Sequence, residues 1–190
     1  MTIINRHVPY LVAMIEVEIK ARAMPDELAR RLEAAGAVFE KKARQADTYY
    51  NAPDRDFAVT DEAVRLREQD GKAYLTYKGK KLDSASKTRK EVEVLVSDLA
   101  AMEDILRSLG FRKTLGVAKE REIWHYRGAE VCLDRVEGLG GFVEVESFVA
   151  DAAGIARKRE ELVAILRGLG VDGELIRESY LEMLLAKRWK

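Results

Sequence analysis

Charged residues recur two apart in Glu16-Val17-Glu18-Ile19-Lys20, in Arg89-Lys90-Glu91-Val92-Glu93 and in Glu144-Val145-Glu146. On a β-strand that spacing places the charges on one face and the residues between them, mostly aliphatic, on the other. A half-buried strand ordinarily turns mixed polar residues to water. Paired carboxylates on strand after strand instead point to a cavity lined with them.

The rest of the composition narrows the setting. A chain of 190 residues suits one domain, or at most two small ones, with a real core. Lys+Arg 33 against Asp+Glu 33 gives a formal net charge of +0, which argues against a protein built to coat nucleic acid or an anionic membrane. The single Cys132 excludes an internal disulfide, and no Cys/His cluster suggests zinc. No apolar run approaches the roughly 20 residues that span a bilayer, and nothing before Met14 has a signal-peptide pattern. The default expectation is a cytoplasmic protein with no nucleic-acid or membrane partner.

Along the chain, strands alternate with a few helices. Tyr10–Lys20 reads as a strand. Pro25-Asp26-Glu27 opens a helix whose Leu28 and Leu32 form an apolar stripe and which Gly36 stops. A strand runs through Tyr50, Asn51–Asp56 is a loop, and strands at 63–68 and 73–78 are joined by the hairpin signal Asp70-Gly71. Gly79–Ser86 reads as a polar loop. The pattern then repeats: a strand over 89–96, a helix over 98–109 capped by Ser97, a long strand over 111–126, a turn at Arg127-Gly128, and strands at 129–136 and 142–149. Each half runs β-α-β-β-β, with RRLEAAGAVF answered by DILRSLGFRK, so the chain is read as an internal duplication. Helices over 152–169 and 174–187 follow, the second with Leu181, Leu184 and Leu185 on one face. The expected fold is α+β: an eight-stranded antiparallel barrel with helices outside it.

Sorting each strand by parity gives Glu16, Glu18 and Lys20 on the first; Arg65 and Arg67 on AVRLRE; Tyr74, Thr76 and Lys78 on AYLTYKG; and Arg89, Glu91 and Glu93 on RKEVEVLV. Lys119 and Arg121 follow on AKEREIW, Asp134 on VCLDRV, and Glu144 and Glu146 on FVEVES. A charged face on any single strand is ordinarily a solvated face. Two features shift the balance. The aliphatic faces need cover, which helices outside a barrel can supply, turning the charges inward. The signs are also unevenly distributed: Arg65, Arg67, Lys78, Lys119 and Arg121 against Glu16, Glu18, Asp134, Glu144 and Glu146. Cations grip phosphate oxygens and clustered carboxylates hold Mg²⁺ or Mn²⁺, so the lumen fits a polyphosphate with a divalent metal.

These residues resemble the defining motifs of the CYTH superfamily, the triphosphate tunnel metalloenzymes. The E-x-E-x-K of Glu16–Lys20 is joined by Asp47-Thr48-Tyr49-Tyr50, Arg65-Leu66-Arg67, Leu75-Thr76-Tyr77-Lys78-Gly79 and Arg89-x-Glu91-x-Glu93. Lys119-x-Arg121, Cys132-Leu133-Asp134-x-Val136-Glu137-Gly138, Phe142-Val143-Glu144-Val145-Glu146 and Glu178-Ser179-Tyr180-Leu181 follow in order. The second half is especially similar to the CyaB-type, class IV adenylyl cyclases. The resemblance implies a single domain over 14–190, with residues 1–13 a loosely ordered extension. It implies metal held by Glu16, Glu18, Asp134, Glu144 and Glu146, phosphates gripped by Lys20, Arg65, Arg67, Lys78, Arg89, Lys119 and Arg121, and Glu16, Glu18, Lys20 and Asp134 at the catalytic centre. Glu91 and Glu93 would orient the cations. A homodimer is also implied.

Two reactions fit such a tunnel. In one, the ribose 3′-OH of ATP attacks the α-phosphorus and pyrophosphate leaves; in the other, water attacks the terminal phosphorus of ATP, thiamine triphosphate or inorganic triphosphate. A non-catalytic polyphosphate- or nucleotide-binding module is the third reading, which the full carboxylate set disfavours. Outside this set, His7 belongs to the extension and His125 reads as a surface or packing residue. Cys132 reads as a small buried hydrophobe, and Lys80 and Lys81 as solvated loop residues.

Overall fold

The computed structural model describes residues 15–81 and 89–188. The expectations for residues 1–13 and for the strand from Tyr10 to Met14 lie outside them, as does the rest of the 79–86 loop beyond Lys81. Eight strands close a barrel: β1 (Ile15–Arg22), β2 (Val38–Asn51), β3 (Ala63–Gln69), β4 (Lys72–Lys81), β5 (Arg89–Val96), β6 (Arg112–Tyr126), β7 (Ala129–Val136) and β8 (Gly140–Val149). Around the barrel the order is β1-β5-β4-β3-β2-β6-β7-β8, and every neighbouring pair is antiparallel. Exchanging β1–β4 with β5–β8 maps this ring of neighbours onto itself, as a duplicated β-α-β-β-β unit requires. The two-residue turns expected at Asp70-Gly71 and Arg127-Gly128 carry positive φ at both residues, 53° and 71° in the first and 49° and 76° in the second, the twist that suits a tight hairpin.

The helices lie outside. α1 (Pro25–Ala34) buries Leu28 and Leu32, and α4 (Ile155–Gly168) buries Leu162, Ile165 and Leu166. Both pack on the outward side chains of β1, β7 and β8, namely Val17, Ile19, Val131, Leu133, Val143 and Val145. α3 (Leu99–Ser108) sets Leu106 against Val64, Leu66, Tyr50 and Phe57, the last from the one-turn helix α2 (Phe57–Thr60). Most of the apolar core therefore sits between the barrel wall and its helices, where each fully buried aliphatic contributes about 1.5–3 kcal/mol, and a smaller cluster gathers Tyr49, Val117, Val136 and Phe142 with Tyr180. Cover is incomplete on β5, whose outward Val92 and Val94 remain 46% and 52% exposed.

Four expectations are corrected. α3 is capped by Asp98, not Ser97: the Asp98 carboxylate accepts from the Ala101 N–H at 2.9 Å, the orphan donor that an N-cap satisfies. The helix expected from Ala152 begins as a 3₁₀ turn, Ala152–Gly154, before α4. The final helix α5 (Tyr180–Arg188) starts six residues later than expected. The preceding segment is tied instead to β1, with the Ile176 N–H donating to the Lys20 carbonyl at 2.7 Å and the Lys20 ammonium to the Glu178 carbonyl. Lys81 is no solvated loop residue. It ends β4, with Nζ 2.8 Å from Asp61 Oδ1 and 3.3 Å from Glu182 Oε1.

Candidate active site

Strand parity turns the charged faces into the barrel, where they line one cavity of about 310 Å³. Ten of the twelve residues singled out from the sequence border it: Glu16, Glu18, Arg65, Arg67, Lys78, Arg89, Lys119, Arg121, Glu144 and Glu146. The other two, Lys20 and Asp134, share the inward parity but are fully buried, both in contact with Tyr180, which borders the cavity.

The carboxylates separate into two groups. Glu16, Glu18 and Glu146 bring one oxygen each within 4.8 Å of one another, because β1 pairs with β8 in a register that sets Glu18 opposite Glu146. Burial, and then repulsion from Glu146 and Glu91, raises the Glu16 pKa well above the usual carboxylate range. Burial followed by repulsion from Glu130 pushes Glu146 up to about 8. Three converging carboxylate oxygens are the donor set of a hard divalent cation, whose charge offsets the repulsion felt by Glu16 and Glu146. These three residues fit the metal that the sequence motifs imply.

Asp134 and Glu144 stand apart from that cluster. Asp134 accepts two bonds from Arg121, at 2.7 and 2.6 Å, one from Lys119 at 3.1 Å and one from the Tyr180 hydroxyl at 2.8 Å. Burial alone would raise its pKa, but Arg121 and Lys119 outweigh burial and hold it below the ordinary value. Glu144 accepts from Arg121 and lies 3.8 Å from the Lys20 ammonium. The same logic recurs across the lumen, where Arg67 forks onto Asp47 at 2.6 and 2.7 Å. Arg65 reaches Thr76 at 3.1 Å and Glu93 at 3.3 Å, leaving its buried Nε without a hydrogen-bond partner among the described residues. Lys78 is paired with Glu91, and Arg89 lies 3.4 Å from Asp61.

Two members of this network escaped strand parity. Asp47 is buried on β2, a strand with polar residues on both faces (VFEKKARQADTYYN), so alternation could not mark its inward side. Tyr180 opens α5 and enters the barrel. Its ring lies under the Lys20 ammonium, 4.2 Å from centroid to Nζ, and 5.0 Å from that of Lys119. It also packs on Phe142 with centroids 5.0 Å apart. From sequence Tyr180 stands only in the family motif Glu178-Ser179-Tyr180-Leu181, with no role of its own. His125 is half-exposed and bonded to Glu40, and Cys132 is fully buried.

Among the described residues no helix is long and apolar enough to cross a membrane. The chain is 42% identical over 172 residues to a Methanocaldococcus jannaschii protein named "Putative adenylate cyclase MJ0240", covering 90% of this chain and 98% of that one. It is 27% identical over 140 residues to adenylate cyclase CyaB of Aeromonas hydrophila, covering 72% and 70% of the two chains. The fold is also that of the PH1819 protein of Pyrococcus horikoshii OT3, with a TM-score of 0.85, 43% identity, and 91% of this chain and 99% of that one covered. The CYTH domain family matches residues 14–180, and with the closed barrel and its motif-bearing strands the chain belongs to that family.

Proposed function

We propose that the protein is a metal-dependent triphosphate-processing enzyme, a class IV adenylyl cyclase that converts ATP to 3′,5′-cyclic AMP and pyrophosphate. The observation that carries this reading is a tri-carboxylate cluster and a set of lysines and arginines facing one cavity inside the closed barrel. A phosphate-binding module needs the cations alone. The cyclase direction is supported by the names of the two relatives.

Glu16, Glu18 and Glu146 would hold Mg²⁺ or Mn²⁺, which when bound supplies Lewis-acid stabilisation of charge on phosphoryl and ribose oxygens. Arg65, Arg67, Lys78, Arg89, Lys119 and Arg121 bind the triphosphate oxygens and offset the charge that gathers on the leaving pyrophosphate. In the reaction the bond from the ribose 3′-oxygen to the α-phosphorus forms as the α-phosphorus to bridging-oxygen bond breaks, and the hydroxyl proton is released. Lys20 and Asp134 act through their neighbours, Asp134 by fixing Arg121 and Lys119, and Lys20 through its contacts with Glu144 and the Tyr180 ring. Because Asp47, Glu91 and Glu93 already hold the facing cations, those side chains are positioned before substrate arrives, and little reorganisation remains.

The test is product analysis after incubation with Mg²⁺ or Mn²⁺ and, separately, ATP, thiamine triphosphate and inorganic triphosphate. Cyclic AMP with pyrophosphate is expected. Orthophosphate with the matching diphosphate or pyrophosphate would make the protein a triphosphatase, and no turnover would leave a binding module. Glu18→Gln and Glu146→Gln should each lower turnover at least about 100-fold while the circular dichroism stays native; full activity in either would remove the metal-ligand assignment.

A further inference from the structure

At the barrel rim beside the Arg127-Gly128 turn, three side chains from three strands converge in a group separate from Glu16, Glu18 and Glu146, though one of them, Glu130, also borders the cavity. Glu40 of β2, His125 of β6 and Glu130 of β7 place one ligand atom each within 4.8 Å of one another. His125 Nε2 lies 2.6 Å from Glu40 Oε2, and His125 stands directly opposite Glu130 in the β6–β7 ladder. The convergence depends on an irregularity in the sheet. Phe39 pairs with Trp124 and Lys41 with Ile123, so Glu40 is an extra residue in β2, and such a bulge re-aims the side chain it carries. Its flank is pinned by Phe39, which packs edge-on against Trp124 at 5.1 Å. The nearby Lys41 is turned toward Asp70, 3.9 Å away.

We propose that Glu40, His125 and Glu130 form a second metal site, one for a borderline transition-metal ion such as Zn²⁺. The donor set decides the class. Glu16, Glu18 and Glu146 offer only hard oxygen, suited to Mg²⁺ or Mn²⁺. An imidazole nitrogen and carboxylate oxygens are both donor types that zinc accepts, three of them leave a fourth position open, and the imidazole favours Zn²⁺, Co²⁺ and Ni²⁺ over Mg²⁺. All three residues sit on hydrogen-bonded strands, so the ligands are held by the sheet and not by a loop. His125 is half-exposed, which leaves an entry path from solvent. Glu130 also faces Glu146 across the β7–β8 ladder, and Glu146 faces Glu18. The rim site therefore stands at the end of one row of ligand-bearing residues that leads to the barrel interior.

The test uses Zn²⁺ and Co²⁺ alone with the intact, chelator-stripped protein. Isothermal titration should show one Zn²⁺ site that survives a large excess of Mg²⁺, and Co²⁺ should give the visible absorption of a four-coordinate site with nitrogen and oxygen ligands. His125→Gln and Glu40→Gln should each weaken Zn²⁺ binding at least about 10-fold and abolish the Co²⁺ bands, with native circular dichroism. Glu18→Gln should retain both signals, which separates this site from the interior cluster. Zn²⁺ binding unchanged in His125→Gln, or lost in Glu18→Gln, or no Zn²⁺ binding that survives Mg²⁺, would overturn the assignment.

Discussion

The hydroxyl of Tyr180 and its ring do separate things, and single substitutions can pull them apart. The hydroxyl donates to Asp134, which also accepts from Arg121 and Lys119. The ring fills space against Phe142 and lies beneath the Lys20 ammonium. Tyr180→Phe removes one hydrogen bond and keeps the ring, so a loss of about 1 kcal/mol is expected from urea denaturation. Tyr180→Ala also removes the packing, and the expected loss rises to about 3–5 kcal/mol. Equal losses would mean that the ring contributes nothing beyond its hydroxyl. Asp134→Asn is the harsher change, because it leaves Arg121 and Lys119 buried with only part of their compensation. Breaking such a buried pair costs about 3–5 kcal/mol, and the same denaturation experiment should show it.

The meeting of β1, α1 and β8 depends on a position with no side chain. A Cβ at Gly141 would come within 2.4 Å of the Ala23 carbonyl and 2.6 Å of the Pro25 ring, and the Ala23 N–H donates to the Gly141 carbonyl at 3.2 Å. Neither neighbour is a flexible side-chain tip, so Gly141→Ala must push α1 off the barrel. A loss of about 1–3 kcal/mol is expected, readable as a lower thermal midpoint with unchanged far-ultraviolet circular dichroism. At this scale the strands of the fold were legible because aliphatic alternation names the outward face and, by exclusion, the inward one. Glu16, Glu18, Arg65, Arg67, Glu144 and Glu146 all followed from that rule. Where alternation fails the reading fails too: β2 is polar on both parities, so Asp47 stands out only within the family motif and not as an inward residue, and the bulge at Glu40 obeys no period. The start of α5 was misjudged for another reason. Residues 174–179 carry a helical pattern, but their backbone is bonded to Lys20, a tertiary contact that sequence periodicity does not encode.

The whole molecule is largely an inverted arrangement, with most of its apolar core outside the barrel wall, a smaller apolar cluster around Phe142 and Tyr180, and its ionic groups inside, so a few buried carboxylates govern how stability responds to acid. Burial alone would raise the pKa of Asp47, but Arg67 and Arg65 outweigh it and hold that carboxylate well below its ordinary 3.8. With the folded pKa depressed, the unfolded chain takes the proton first. The contribution is present above the unfolded pKa and is lost as pH falls toward the folded one. Unfolding free energy should therefore decline below about pH 4. Asp47→Asn removes the titrating group and leaves the Arg67 fork buried opposite an amide. The neutral-pH plateau should drop by about 3 kcal/mol, while the decline from about pH 4 to pH 2 becomes shallower than in the parent protein. Urea denaturation at a series of pH values reads both quantities from one data set. A lowered plateau with an unchanged acid slope would place the acid sensitivity elsewhere in the barrel, with Asp134, which Arg121 and Lys119 hold down in the same way, the next group to replace.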